Sequence, residues 1–287
     1  MFTISDLPTA LPGIELADSA AEASATIVPT RGGMATHFVA LGREWLFLDE
    51  STLLDPHKNV RGGIPILFPS PGKLAGDAFE RGGRAGRMGQ HGFARNLAWK
   101  ERARSTEGAA RLELELADSD STRAAFPWPF RLRLAYSLRG ATLRLEVAVE
   151  NPGAEALPFA FGLHPYFAVS QADKAKASIP TRATAGWDNV AKKQVGVSAI
   201  DLCAPETDLH LLDHGGSEAE LRTPQGTVRV RGSEAFSRWV VWQLAGRDFV
   251  CLEPWTAPGN ALNTGEGLLF VPPGDRRELW VELSVAR

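Results

Sequence analysis

Two of the six histidines in this 287-residue chain stand in company that suits proton chemistry. His91 lies in "MGQHGFARNLAW" (88–99) and His164 in "FAFGLHPYF" (159–167). Glycine, proline and aromatic neighbours of this kind hold a ring in a fixed pose within a partly dry cleft. An imidazole, with an ordinary pKa of ~6.5, gives or takes a proton near neutrality. A carboxylate of matching interest is Glu253, in "VCLEPW". It ends an apolar strand, with Pro254 expected to stop the ladder and Trp255 to cover the site. A carboxylate there is desolvated, which moves its pKa up toward the range of a general base. Residue types alone leave a structural alternative open for each: buried histidines bonded to backbone, and a rim glutamate with a basic partner. His37, His57, His210 and His214 sit in polar or loop-like surroundings and read as solvated or structural.

Other chemistries find less support. The histidines show no i, i+4 or HxH spacing and there is no cysteine pair motif, so a zinc site is not expected. No GxSxG elbow occurs, and "RGGRAGRMG" lacks the strand before and helix after that a phosphate loop requires. Acid–base work by imidazole and carboxylate, without metal or cofactor, is what remains. Eight tryptophans and fourteen phenylalanines can offer flat apolar faces to a sugar ring, with arginine, asparagine and glutamine for its hydroxyls.

The elements that would position these groups are strands. Period-two alternation runs through 111–117, 130–138, 141–151, 227–232, 238–245, 248–254 and 278–285, punctuated by turns such as Arg139-Gly140, "TPQG" and "PPGDRR". Helical signals are weak; the alanine-rich stretch 6–25 has two prolines and no 3.6-residue stripe. Strands do not alternate with long helices, which argues against a parallel sheet. No linker or repeat divides the chain, so a single all-β domain over 1–287, an antiparallel sandwich or barrel, is expected. Residues 59–99 read as a long glycine-rich functional loop, and 170–226 as irregular excursions over one end of the sheet.

Bulk properties narrow the class further. A formal charge of −3 argues against nucleic acid. Two cysteines, Cys203 and Cys251, are too few for a disulfide framework and fit a reducing compartment. The N-terminus carries acids early and does not read as a signal peptide, and no run of ~18 apolar residues occurs, so a cytoplasmic protein off the membrane is expected.

Taken in order and spacing, "RGGIPILFP", "QHGFARNLAW", "GLHPYF" and "CLEPW…NALNTGEG" resemble the aldose 1-epimerase (mutarotase) family. The resemblance runs from about residue 25 to the C-terminus and is strongest to the branch holding the glucose-6-phosphate 1-epimerases. It implies a large antiparallel β-supersandwich with the site on a concave face. It also implies roles: His164 the acid that protonates ring oxygen O5, Glu253 the base that takes the proton from the C1 hydroxyl, and His91 a steadying group at the anomeric end. Arg61, with Arg95 beside it, would bind sugar hydroxyls or a phosphate; Asp188 in "GWDNV" and Gln243 in "VVWQ" would contact the sugar. Where the branch has "PxFG" after "RGGIP", this chain has "PSPGKLAG", which leaves the sugar open between a free aldohexose and its 6-phosphate. Arg61, Lys73, Arg84, Arg87 and Arg95 bracket His91 in a net-acidic chain, as an anionic ligand or a solvated loop would require. The oligomer is expected to be a monomer or homodimer. Two alternatives stand beside the epimerase: a non-catalytic sugar-sensing protein of the same fold, and a related lyase or hydrolase. The latter usually needs a tyrosine base, for which only Tyr136 and Tyr166 exist.

Overall fold

The alternating segments become strands at nearly the limits the pattern predicts. Ala110–Ala117, Arg131–Arg139, Thr142–Glu150, Gly226–Gly232 and Arg276–Ala286 are joined at the edges by Lys100–Ser105 and Glu218–Thr223 into a seven-stranded antiparallel sheet. Leu112, Leu114, Leu132, Leu134, Leu145 and Val281 line its buried face. Arginine and glutamate alternate with them on the outer face and pair there, as Arg111 does with Glu146 and Arg133 with Glu150. The Arg139–Thr142 pair closes the central hairpin around Gly140, whose φ of 57° explains the glycine.

The computed structural model describes residues 1–8 and 10–287; Thr9, within the alanine-rich stretch, lies outside the described residues. The described residues of that stretch form no helix. It supplies Gly13–Asp18 and Ala23–Val28 to a five-stranded meander with Phe2–Leu7, Met34–Ala40 and Arg43–Glu44. A third sheet of eight strands carries the candidate site. Its order is Lys193–Gly196, Ala185–Asp188, Glu206–Leu211, Arg238–Leu244, Phe249–Trp255, Gly162–Leu163 and Ile66–Leu67, with Tyr166–Ala168 also paired to Phe249–Trp255. One apolar cluster joins the three sheets: Leu16, Ile27 and Phe38 from the meander, Leu114 and Leu134 from the seven-stranded sheet, and Leu209, Trp239, Val241 and Leu252 from the third. Each such side chain contributes roughly 1.5–3 kcal/mol by leaving water, and together they lock the sheets into one large antiparallel β-sandwich.

Three expectations change. The segment 59–99 is not structureless: it holds the hairpin Ala78–Arg81/Arg84–Arg87, and Phe79 from it stacks on Trp128. The segment 170–226 contributes three strands to the site sheet, because short strands with one polar face lack the long apolar rhythm that marks the others. The Glu253 strand also passes through Pro254 to Trp255, carried by the burial of both residues. Among the described residues no helix is long and apolar enough to cross a membrane.

Candidate active site

Phe249–Trp255 is buried at every position, since it runs through the middle of its sheet with both faces covered. Val250 and Leu252 face the main core, and the residues between them face the other way. Register extends that second face across the sheet. Glu253 lies opposite Val240, and Val240 opposite His210; Cys251 lies opposite Trp242, and Trp242 opposite Asp208. Alternation thus assembles Asp208, His210, Trp242, Cys251 and Glu253 on one surface.

Glu253 is only 1% exposed. The Trp255 indole N–H donates to its Oε2 at 3.1 Å, which leaves Oε1 turned to His164 Nε2 at 3.3 Å. His164 arrives from the neighbouring strand Gly162–Leu163. Its ring stacks on Tyr166 with centroids 4.7 Å apart and planes 12° from parallel, and Trp242 meets it edge-on at 5.8 Å. Stacking on one side and an edge on another fix the plane in which Nε2 can point.

His91 occupies the left-handed region, at φ 70°. For a residue with a Cβ that conformation costs energy unless the surroundings impose it. Gly72 does so through two bonds: its carbonyl accepts from the His91 amide at 2.7 Å, and its own N–H donates to His91 Nδ1 at 3.0 Å. Because Nδ1 accepts, the neutral ring carries its proton on Nε2, 3.1 Å from the Gln90 amide nitrogen, so the Gln90 amide must turn its oxygen to the ring to accept that proton. Gly92 is needed next, since any Cβ there would collide with the Phe68 carbonyl. The tight turn therefore serves to present one tautomer of one ring, edge-on to His164 at 5.5 Å and to Trp255 at 5.7 Å.

Burial dominates the electrostatics. It raises the Glu253 carboxyl well above the usual carboxylate range, and the negative Asp208 adds to the effect while Trp255 and Arg95 oppose it. The same cause, with Arg95 reinforcing it, pushes His164 down to about 3. His91 is likewise lowered by burial, then by His164 and Arg95. Burial, then the Glu253 charge, raises the Cys251 thiol. Burial pushes Asp208 up too, but bonds from His210 and Asn189 outweigh it and its carboxyl stays below the ordinary value. The cleft thus favours neutral forms at its centre and an anion at its rim.

Of the residues named from the sequence, His91, His164 and Glu253 come together. Arg95 joins them, with Nη2 on the Gln90 carbonyl at 2.8 Å and Nε buried without a hydrogen-bond partner. Arg61 is exposed, its guanidinium 5.3 Å from the Trp242 ring. The structure does not bring Asp188 or Gln243 to this cleft. Asp188 accepts from the amides of Val190 and Ala191 and closes a hairpin. Gln243 is fully buried, and its amide bonds to Lys174, Ala204 and Thr207, with Thr207 lying beside it in register. Asp208, His210 and Trp242 are the cleft residues that sequence reasoning passed over. The signal was there in "ETDLHL", where leucines at 209 and 211 turn Asp208 and His210 to the opposite face. Among the described residues one metal-competent set exists: His164, Cys251 and Glu253 each offer a ligand atom, all within 4.8 Å of one another. Linear spacing does not register it, because the histidine comes from a neighbouring strand.

A three-sheet antiparallel sandwich that gathers two imidazoles and a buried carboxylate at one sheet is an arrangement that comparison places in a known family. The model of the aldose 1-epimerase family matches residues 14–284, and the chain belongs to that family. A solved structure of a Synechocystis protein shares 37% identity at a TM-score of 0.94, covering 100% of this chain and 99% of the other. Galactose 1-epimerase of Lactobacillus acidophilus, at 14% identity and a TM-score of 0.77 over 100% of this chain and 98% of its own, shows the same galactose mutarotase-like fold. Proteins provisionally named glucose-6-phosphate 1-epimerase match locally. The one from Cenchrus ciliaris is 32% identical over 139 residues, 45% of this chain and 39% of the relative. The one from Salmonella typhimurium is 33% identical over 136 residues, 47% of this chain and 42% of the relative. These matches span about two fifths of the curated relatives' lengths.

Proposed function

We propose that the protein interconverts the α and β anomers of an aldohexose or its 6-phosphate, with His164 and Glu253 as the acid–base pair. The observation that carries this is the 3.3 Å contact between His164 Nε2 and Glu253 Oε1 in a buried cleft. Opening a cyclic hemiacetal requires a proton on O5 while one leaves O1. The pair holds one proton that either partner can carry. Burial favours imidazole with carboxylic acid, and passing that proton along the 3.3 Å contact gives imidazolium and carboxylate. From that state Glu253 takes the O1 proton as His164 gives one to O5, and the sugar opens with the pair again imidazole and carboxylic acid. Rotation about C1–C2 and closure by the reverse transfers yield the other anomer and return the pair to its start. The two proton arrangements differ in no net charge, and each positioned group typically contributes ~10²–10⁴-fold.

His91, its proton held on Nε2, donates to an oxygen at the anomeric end. Asp208 takes over the sugar contact that the resemblance implied for Asp188, because it lies on the same sheet face as Glu253 and stays anionic. Arg95, with an unpaired Nε, and Arg61 at the mouth favour a substrate with an anionic or hydroxyl-rich end. The test is polarimetry on freshly dissolved α-anomers of glucose, galactose and glucose 6-phosphate. Acceleration of at least one, abolished in Glu253→Gln, supports the proposal. Binding of these sugars with no acceleration would identify a non-catalytic sugar-binding protein of the same fold.

A further inference from the structure

Cys251 has no part in the proton transfers, yet it sits on the cleft face two residues from Glu253 with no exposed surface. Its sulfur, a His164 nitrogen and a Glu253 oxygen lie within 4.8 Å of one another, and all three residues are buried. In a tetrahedral zinc site with bonds of ~2.0–2.1 Å to nitrogen and oxygen, those two ligand atoms stand about 3.3 Å apart. His164 Nε2 and Glu253 Oε1 are already at 3.3 Å. A ~2.3 Å zinc–sulfur bond asks the thiol to close in by roughly 1 Å, within reach of a small rotation about its Cα–Cβ bond.

The supports that orient a metal's ligands are also present. The Trp255 indole occupies Glu253 Oε2 and leaves Oε1 free for single-oxygen ligation. Tyr166 fixes the imidazole plane by stacking. His164 Nδ1 can carry the ring proton while Nε2 binds, and since it is buried without a partner the ring is oriented by the Tyr166 stack and the Trp242 edge alone. One soft, one borderline and one hard ligand suit Zn²⁺ or Cd²⁺ and not Mg²⁺ or Ca²⁺.

We propose that Cys251 makes this cleft a capture site for a single soft divalent cation, bound by His164, Cys251 and Glu253 with a fourth position open to water. On binding, the S–H bond breaks, its proton goes to solvent and a sulfur–metal bond forms; any proton on Glu253 leaves in the same way. The bound ion occupies both proton-carrying atoms and so blocks sugar turnover. That consequence rests on the proposed acid–base role; the binding does not.

The experiment titrates metal-free protein with CdCl₂, reading the near-ultraviolet thiolate-to-cadmium absorption, and with ZnCl₂ in competition. One equivalent per chain should generate the band. Cys251→Ser and Cys251→Ala should abolish it, His164→Asn should weaken binding at least ~10-fold, and Cys203→Ser, at the exposed cysteine, should leave it intact. Anomerisation, measured in parallel, should fall with the same midpoint in wild type and persist in Cys251→Ala, while MgCl₂ does nothing. No band, a band lost in Cys203→Ser, or one unchanged in Cys251→Ala overturns the site. A band with the expected variants but no sugar turnover at any metal level overturns the proposed activity and leaves the metal site standing.

Discussion

The strands Arg238–Leu244 and Phe249–Trp255 carry buried polar groups on both faces, and the two faces treat them differently. Behind the sheet, Gln243 accepts from Lys174 Nζ at 2.9 Å and donates to Ala204 and Thr207, and the same ammonium donates to the Leu244 carbonyl at 2.7 Å. On the cleft side, His164 Nδ1 and Arg95 Nε are buried with nothing to bond. An unpaired buried polar atom costs about 1–3 kcal/mol, so a face that keeps two of them forgoes stability that its neighbour collects. On the saturated face the polar groups hold strands together; on the other face two are left over for a ligand to meet.

That contrast predicts opposite phenotypes on the two faces. On the cleft side, Glu253→Gln and His164→Asn should each lower the anomerisation rate by at least ~10²-fold in polarimetry, with thermal melting no lower than wild type. Near-normal rates in either would remove the acid–base pair. Behind the sheet, Lys174→Ala strands the Gln243 carbonyl oxygen and should cost about 2 kcal/mol in denaturant unfolding, with kcat within about twofold of wild type. A large kcat loss there would dissolve the distinction between the faces. Next in size, Arg61→Ala or Arg95→Ala should raise KM for the phosphorylated sugar ~10-fold, the loss of one charge-assisted bond, and affect the free hexose less. Equal effects on both sugars would leave the arginines as hydroxyl binders.

A smaller effect belongs to Asp208. Its carboxyl is held below its ordinary value by His210 and Asn189, so its ionised form favours folding above the unfolded-state pKa. That contribution fades as pH falls through the lower folded-state value. Asp208→Asn should therefore melt below wild type at pH 7, by about 1 kcal/mol or less, and the gap should close once the pH drops below the usual aspartate range. A gap that widens in acid would contradict the sign. The smallest expected change is none: dialysis against EDTA should leave activity intact, because the pair needs no metal to move protons. Loss on chelation with rescue by zinc would reverse the role of the His164–Cys251–Glu253 set from trap to cofactor site.

Strands with long apolar rhythm were legible in the sequence almost to the residue, and His91, His164 and Glu253, singled out by their odd neighbours, do meet in space. What escaped did so for two physical reasons. In Gln243 and Asp188 the choice fell one residue from the side chains that share the cleft-side register row, Trp242 and Trp187, and period two sends adjacent residues to opposite faces. Asp208 and His210 sit on a six-residue strand whose identity depends on pairing with Arg238–Leu244, a contact between distant parts of the chain. The hairpin 78–87 has the same character: its Phe79 finds Trp128 only after the chain has folded, and glycine-rich sequence alone reads as loop.

The tautomer hook at His91 is made of backbone. Gly72 grips the ring with its amide and the His91 backbone with its carbonyl, so no single side-chain substitution elsewhere removes either bond, while the arginines near the mouth are free to be exchanged one codon at a time. A lineage built on this scaffold can therefore wander among sugars by point mutation yet stay tethered to its reaction, and anyone redesigning it should expect new substrates to come cheaply and a new reaction to require recasting the loop itself.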